Sequence, residues 1–339
     1  MKFVLPAILL LLGPLLASCG STSTEVNLYS ARQEALIKPL LDRFTEQTGI
    51  RVNLVSAKDD TLIQRLESEG RNSPADLLLT ADAGRLYRAT ELGLLAPVRS
   101  GTLEQRIPAN YRDPEGHWFG LSLRARPILY ARDRVDPAEL STYAALTEPR
   151  WQGRICTRSS DNIYNQSLVA AMIATRGEAQ TEAWAAGLVA NFARPPRGGD
   201  RDQIKAVAAG QCDIAIANTY YLAAMLNDPL APERESAERV AVFWPDQDGA
   251  GVHVNVSGIG LTTASRNREQ ALRLMEFLLS DEAQRWYADS NQEYPVVEGI
   301  EASETLRAWG HFKADGINLS ELGRHNAEAL RLMDRVGWR

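Results

Sequence analysis

VNLYSARQEALIKPLLDRFTEQTGIRVNLVSAKDDTLIQRLESEGRNSPADLLLT, residues 26–80, alternates between two hydrophobic periods, and that alternation decides the fold class. Val26 to Ser30 reads as a short strand. From Glu34 to Gln47 the apolar residues Leu36, Ile37, Leu40, Leu41 and Phe44 recur on one helical face. Gly49 stands where a helix C-terminal glycine belongs. Ile50 to Val55 reads as a second strand, and Asp59 to Glu69 as a second helix facing inward through Leu62, Ile63 and Leu66. A strand at Ala75–Leu79 and a helix through Leu86 and Tyr87 follow. Strand, helix, strand, helix in this order implies an α/β domain with a parallel sheet and covering helices.

The same alternation resumes downstream after a crossing at residues 121–130, where a strand passes into a new unit. Beyond it the pattern predicts a helix over Pro137–Ala145, a strand over Gly153–Thr157, and helices over Asn162–Thr175 and Thr181–Ala190. The loop RPPRGGD (194–200), a helix over Asp202–Ala209 and a strand over Asp213–Ala217 come next, then a helix from Tyr221 and a strand over Val240–Trp244. The glycine-rich DQDGAGVHVNVSGIGL (246–261) recrosses to the first unit, Asn267–Ala288 reads as one amphipathic helix, and the stretch after Ala302 is helical. Two α/β lobes joined by two crossings make a hinged clamp, and ligands of such folds lie beyond strand ends or between domains.

The N-terminus bears on the compartment. Met1-Lys2 precedes an uncharged apolar run, Phe3–Ala17, interrupted by Pro6 and Pro14. This reads as a secretory signal (residues 1–18) and is too short and too broken for a membrane span. Leu16-Ala17-Ser18-Cys19 resembles the bacterial lipobox, which implies cleavage before Cys19, lipidation of its thiol, and a small polar tether over 19–24. An ordinary signal cut nearby is the alternative. About 320 residues remain, enough for two cores. A net charge of −6 and the lack of any Lys/Arg block exclude nucleic acid as the expected partner. In an oxidising periplasm the remaining cysteines, Cys156 and Cys212, are expected to pair as a disulfide, two separate buried thiols being the alternative.

The residues just after each strand are the candidate site. They are Arg32, Gln33 and Glu34 after the first strand, Asp82 after the third, Tyr164 beyond the strand at 153–157, and Tyr220 and Tyr221 after the strand at 213–217. Arg124 and Arg126 lie in the crossing. A phenol with a pKa of about 10 keeps its proton at neutral pH unless a strong cation displaces it. Three phenolates balance one ferric ion, whereas magnesium and calcium favour carboxylates and carbonyls, and zinc favours histidine and cysteine. The chain has only 4 histidines. Taken alone, Tyr164 reads more readily as packed core with a satisfied hydroxyl, and the Tyr220-Tyr221 pair is equally unremarkable. No G-x-S-x-G, H-E-x-x-H, Walker A or G-x-G-x-x-G motif occurs, so no enzyme activity is expected.

Several stretches together carry a family resemblance: LYSARQ (28–33), NSPADLLLTADAGRL (72–86), WFGLSLRARPILYAR (118–132), RSSDNIYNQSL (158–168), ANTYYLAAM (217–225) and the segment 254–286. In order and over nearly the whole mature chain, they resemble periplasmic ferric-ion-binding proteins of bacterial ABC iron importers, especially the cyanobacterial-type branch. The resemblance implies a two-lobed type II periplasmic-binding-protein fold with mixed, mainly parallel sheets. Its first lobe would hold residues 25–125 plus 251–301, and its second 126–250 plus 302–339. It implies Fe3+ as cargo, Tyr164, Tyr220 and Tyr221 as ligands, and delivery by a monomer to an ABC-transporter permease from a lipid-anchored position in the periplasm. Where family members usually read S-R-H-Y, with histidine and tyrosine as further ligands, this chain has Gln33 and Glu34. Glu34 offers a carboxylate and Gln33 a neutral carbonyl, leaving room for water or an anion such as carbonate. Arg32, Arg124 and Arg126 are expected to offset phenolate charge or hold that anion, with solvent-facing salt bridges as the alternative. Asp82 is expected to orient a ligand or to cap the helix that follows it. The competing cargo is an oxyanion, polyamine or phosphonate bound in the same fold.

Overall fold

A computed structural model of the protein describes residues 24–339; the readings of a signal sequence, of Cys19 and of most of the tether lie outside the described residues. The chain opens with β1 (Glu25–Ser30), α1 (Glu34–Thr48), β2 (Arg51–Ser56), α2 (Asp59–Glu69), β3 (Leu77–Thr80) and α3 (Ala83–Glu91), the expected alternation. Helix α1 buries Ile37, Leu40, Leu41 and Phe44 and stops where Gly49 turns left-handed at φ 72°. After β4 (Leu95–Ala96) and α4 (Gly101–Arg106) come β5 (Phe119–Ala125) and β6 (Ile128–Ala131). These are two strands in two sheets rather than one continuous strand over 121–130. The break falls at Arg126-Pro127, where proline has no N–H to give a ladder and the Arg126 N–H turns to the carbonyl of His253 at 3.0 Å.

The second unit continues through β7 (Ile155–Cys156), α5 (Ile163–Arg176), α6 (Glu178–Ala190), α7 (Asp200–Ala208), β8 (Ile214–Ile216), α8 (Thr219–Leu226), α9 (Ala231–Glu238) and β9 (Val240–Phe243). The expected helix at 137–145 is instead a pair of short 3-10 turns, Pro137–Glu139 and Ala144–Thr147. Asp136 caps the first, and the Tyr143 N–H is taken by the distant Asp246 carboxylate at 3.0 Å. The chain then recrosses in β10 (Val254–Thr262) and ends with α10 (Arg268–Phe277), α11 (Asp281–Asn291), β11 (Tyr294–Pro295), α12 (Glu304–Arg307), α13 (Ser320–Arg324) and α14 (Asn326–Arg335). The single helix expected over 267–288 is divided because the Ser280 hydroxyl caps a new helix by accepting from the Ala283 N–H.

The first sheet has the order β11-β5-β10-β3-β1-β2, with β4 beside β10; the second has the order β7-β8-β6-β9. Both are mixed, with helices on their faces. Parallel pairing is confined to β1–β2, β1–β3 and β7–β8. It is a smaller share than mainly parallel sheets would have, because β10 arrives from the other sheet and runs against β3, β4 and β5. Aromatic contacts run through the apolar core: Phe44 meets Phe277 at 5.4 Å, and Trp338 meets Phe192 at 5.6 Å. Each large apolar side chain so buried stabilises the fold by about 1.5–3 kcal/mol. Among the described residues no helix is long and apolar enough to cross a membrane.

Two features tie distant parts of the chain together. Cys156 at the end of β7 and Cys212 just before β8 form the expected disulfide across 56 residues. Helix α13 lies against both α3 and α5, so the C-terminal segment touches helices flanking both sheets. Its Gly323 is pressed against Tyr87, and a Cβ at this position would fall inside contact distance of the Tyr87 Cβ, Cγ and Cδ1 atoms. Replacing both cysteines by alanine is expected to lower unfolding stability by about 2–4 kcal/mol, since closing a loop of this length restricts the unfolded chain; urea denaturation with and without reductant reads it, and an unchanged midpoint contradicts it. Gly323→Ala is expected to cost about 1–3 kcal/mol by overpacking against Tyr87, read as a lower denaturation midpoint, and a wild-type midpoint contradicts that close approach.

Candidate metal-binding site

The site is built where two helices begin. Helix α5 starts at Ile163 and carries Tyr164 in its first turn; helix α8 starts at Thr219 and carries Tyr220 and Tyr221 in its first turn. Strands β7 and β8, which lead toward these helices, are parallel neighbours, so their ends emerge side by side. The Tyr220 hydroxyl therefore lies 3.2 Å from the Tyr164 hydroxyl, and the Tyr220 and Tyr221 rings meet at 4.2 Å. All three tyrosines are partly buried. Burial first, and then the neighbouring phenols, push the Tyr164 and Tyr220 hydroxyls well above the ordinary tyrosine range. Tyr164 and Tyr220 thus hold their phenol protons more tightly than a free tyrosine does.

Guanidinium groups surround the Tyr164 ring: Arg124 at 5.4 Å, and Arg126 and Arg158 at 5.9 Å, measured to the ring centroid. Arg126 is only 1% exposed. Its Nη1 donates to Asp200 and to Asn218, both at 2.9 Å, and its Nη2 donates to Asn165 at 2.6 Å. Asp200, at the start of α7, also accepts from Arg158 at 2.8 Å and from the Asn218 N–H at 3.1 Å. One carboxylate therefore holds two arginines and the residue that precedes α8. Arg124 donates to the Ala81 carbonyl and, at 3.2 Å, to Ser257 Oγ, and it stands 4.0 Å from Asp82.

The remaining expected residues are placed as follows. Asp82 is the N-cap of α3, accepting from the Gly84 N–H at 2.8 Å, and its other oxygen accepts from Ser167 and Asn255. Asp82 thus caps α3, and its second oxygen holds Ser167 and Asn255 rather than one of the three tyrosines. Arg32 is buried but turned away into the first sheet, with Nη1 2.9 Å from Glu293, Nη2 3.0 Å from Ser122 and its guanidinium 5.3 Å from the Tyr287 ring. Gln33 and Glu34 are exposed at the start of α1, and among the described residues no hydrogen bond or ion pair joins either to the tyrosines. His253, which precedes β10, is buried with its Nδ1 3.3 Å from Asp315. Sequence reasoning did not single out Arg158, Asn165, Asp200 or Asn218. Arg158 and Asn165 lie inside the RSSDNIYNQSL stretch and Asn218 inside ANTYYLAAM, so their motifs held a signal; Asp200 in RPPRGGD had none beyond its helix start.

Among the described residues no group of three or more His, Cys, Asp or Glu side chains is placed to hold a metal ion. The clustered phenols are the acidic oxygens that remain, and phenolate oxygen suits a hard, highly charged cation.

Residues 72–313 match a family described as bacterial extracellular solute-binding protein. The chain is 46% identical over 336 residues to Iron uptake protein A1 of Synechocystis sp., covering 96% of this chain and 93% of that one. It is 47% identical over 321 residues to Iron uptake protein A2 of the same organism, covering 94% and 91%. Among solved structures, the Trichodesmium protein IdiA (FutA) in complex with iron and citrate superposes with a TM-score of 0.91 at 50% identity, covering 93% of this chain and all (100%) of that one. The ferric binding protein from Campylobacter jejuni gives 0.88 at 40% identity, covering 93% and 100%. These relatives are iron-binding transport proteins and not enzymes. The fold is that of the two-lobed type II periplasmic binding proteins, and the chain belongs to the bacterial extracellular solute-binding proteins.

Proposed function

We propose that the protein captures ferric iron between its two lobes through the phenolates of Tyr164, Tyr220 and Tyr221 and hands it to the permease of an ABC importer. The observation that carries this reading is the convergence of the Tyr164 and Tyr220 hydroxyls at 3.2 Å with the Tyr221 ring packed against Tyr220 at 4.2 Å. The names of the relatives, two iron uptake proteins and a ferric binding protein, support the same cargo. On this reading residues 25–125 plus 251–301 form the first lobe and 126–250 plus 302–339 the second, and the lobes close on the ion by a hinge movement at the crossings. Gln33 and Glu34 belong to the first lobe, and water or an anion such as carbonate completes the coordination. Arg124 and Arg126 offset phenolate charge beside the ion, while Arg32 acts at a distance through the first sheet. The protein works as a monomer held in the periplasm by lipid on Cys19.

The metal does the work that solvent cannot. The Tyr164 and Tyr220 phenols, held above their ordinary range, lose protons to a trivalent cation, and each Fe–phenolate bond formed releases one proton. Affinity therefore falls as pH falls, because protons compete for the same oxygens.

Loading the purified protein with ferric iron from a weak chelate is expected to give a visible phenolate-to-iron charge-transfer band at one iron per chain, with proton release. Tyr220→Phe combined with Tyr221→Phe is expected to abolish the band, and Tyr164→Phe to weaken and shift it. A colourless protein that holds no iron at neutral pH, or a band unaltered in the double variant, overturns the reading.

A further inference from the structure

Ser167 lies three residues after Tyr164, so the two side chains share a face of α5 one turn apart. It is fully buried (0% exposed), and its hydroxyl donates to Asp82 Oδ2 at 2.9 Å. Asp82 belongs to the other side of the molecule, at the junction of β3 and α3. The same Oδ2 accepts from Asn255 Nδ2 on β10 at 2.7 Å, while Oδ1 caps α3 through the Gly84 N–H. Asn255 in turn accepts from the Ala83 N–H at 3.1 Å. One buried carboxylate, itself 1% exposed, thus joins the first-sheet helix α3, the recrossing strand β10 and the helix that carries Tyr164. Arg124 runs beside it, from the Ala81 carbonyl to the face of the Tyr164 ring. Helix α8 has a weaker counterpart: Thr219, which precedes Tyr220, accepts from the Ala125 N–H of β5 at 3.4 Å.

We propose that Ser167 is a positioning residue for metal retention. Through Asp82 it ties the Tyr164 helix to the first lobe, and so sets how long the ion stays bound. The inference rests on the reading of the tyrosines as ligands. It differs from a simple brace in what it predicts. A hydroxyl-to-carboxylate bond between the two lobes slows their separation, and its loss acts on ion release rather than on ligand identity. A buried hydrogen bond to a charged group is the stronger kind, and its loss is expected to speed release at least about tenfold.

The test compares the full-length mature protein with Ser167→Ala and with Ser167→Cys, which keeps the volume and donates only weakly. Each is loaded with ferric iron, and loss of the charge-transfer band is followed after adding excess of a strong chelator, alongside thermal unfolding of the iron-free forms. The expected result is an unshifted band maximum in both variants, release at least about tenfold faster in Ser167→Ala, and an intermediate rate in Ser167→Cys. Wild-type release rates, with or without a lower iron-free melting temperature, make Ser167 a structural brace at most and overturn the inference while leaving the tyrosine reading intact. If Ser167→Ala does not fold, Ser167→Cys decides alone by the same rate. If the unaltered protein takes up no iron, both readings fall together.

Discussion

The buried ion pair between Arg126 and Asp200 is the constraint on which the second half of the site depends. Arg126 stands at the crossing between the sheets, where Pro127 ends the ladder of β5. From there it reaches Asn165 on the Tyr164 helix, Asn218 just before the Tyr220 helix, and Asp200 at the head of α7. Such a pair is not a large net source of stability, because desolvating both charges offsets most of their attraction. Its value here is geometric. With Arg158 added, the charges demand that three helix starts meet at one place, and removing one partner strands the others at a cost of about 3–5 kcal/mol.

That geometry explains the behaviour of the phenols. The Tyr164 and Tyr220 hydroxyls are crowded and partly withdrawn from water, which raises both above the ordinary tyrosine range, and three arginines close around the Tyr164 ring. Arg126 and Arg158 share Asp200, while Arg124 lies 4.0 Å from Asp82 and within the field of Glu293. On the proposed reading such a site turns anionic as a cation arrives, and the surrounding guanidinium groups temper the negative charge of the phenolates.

Local signals made much of this legible. The helix-strand alternation from β1 to α3 follows from periodicity and from Gly49, and the cysteine pair follows from compartment and parity. The tyrosine cluster was legible through the family resemblance of RSSDNIYNQSL and ANTYYLAAM; the structure adds that β7 and β8 are parallel neighbours whose following helices begin together. What was hidden depends on long-range pairing. Arg32 looked like a cleft residue but is claimed by Glu293, 261 residues away. Arg126 finds Asp200 at a separation of 74, with no local mark on either. The helix expected over 267–288 ignored the capping capacity of Ser280, and the one expected over 137–145 yields to a bond from Tyr143 to Asp246. In both cases a specific hydrogen bond outweighed an apolar repeat.

The most direct measurement is a crystal structure of the iron-loaded protein with anomalous data collected at the iron edge. The account predicts one anomalous peak at bonding distance from the hydroxyl oxygens of Tyr164, Tyr220 and Tyr221, with the Arg126–Asp200 pair intact behind it. A peak elsewhere in the molecule, or phenols that remain hydrogen-bonded to one another while iron sits outside their reach, would contradict it.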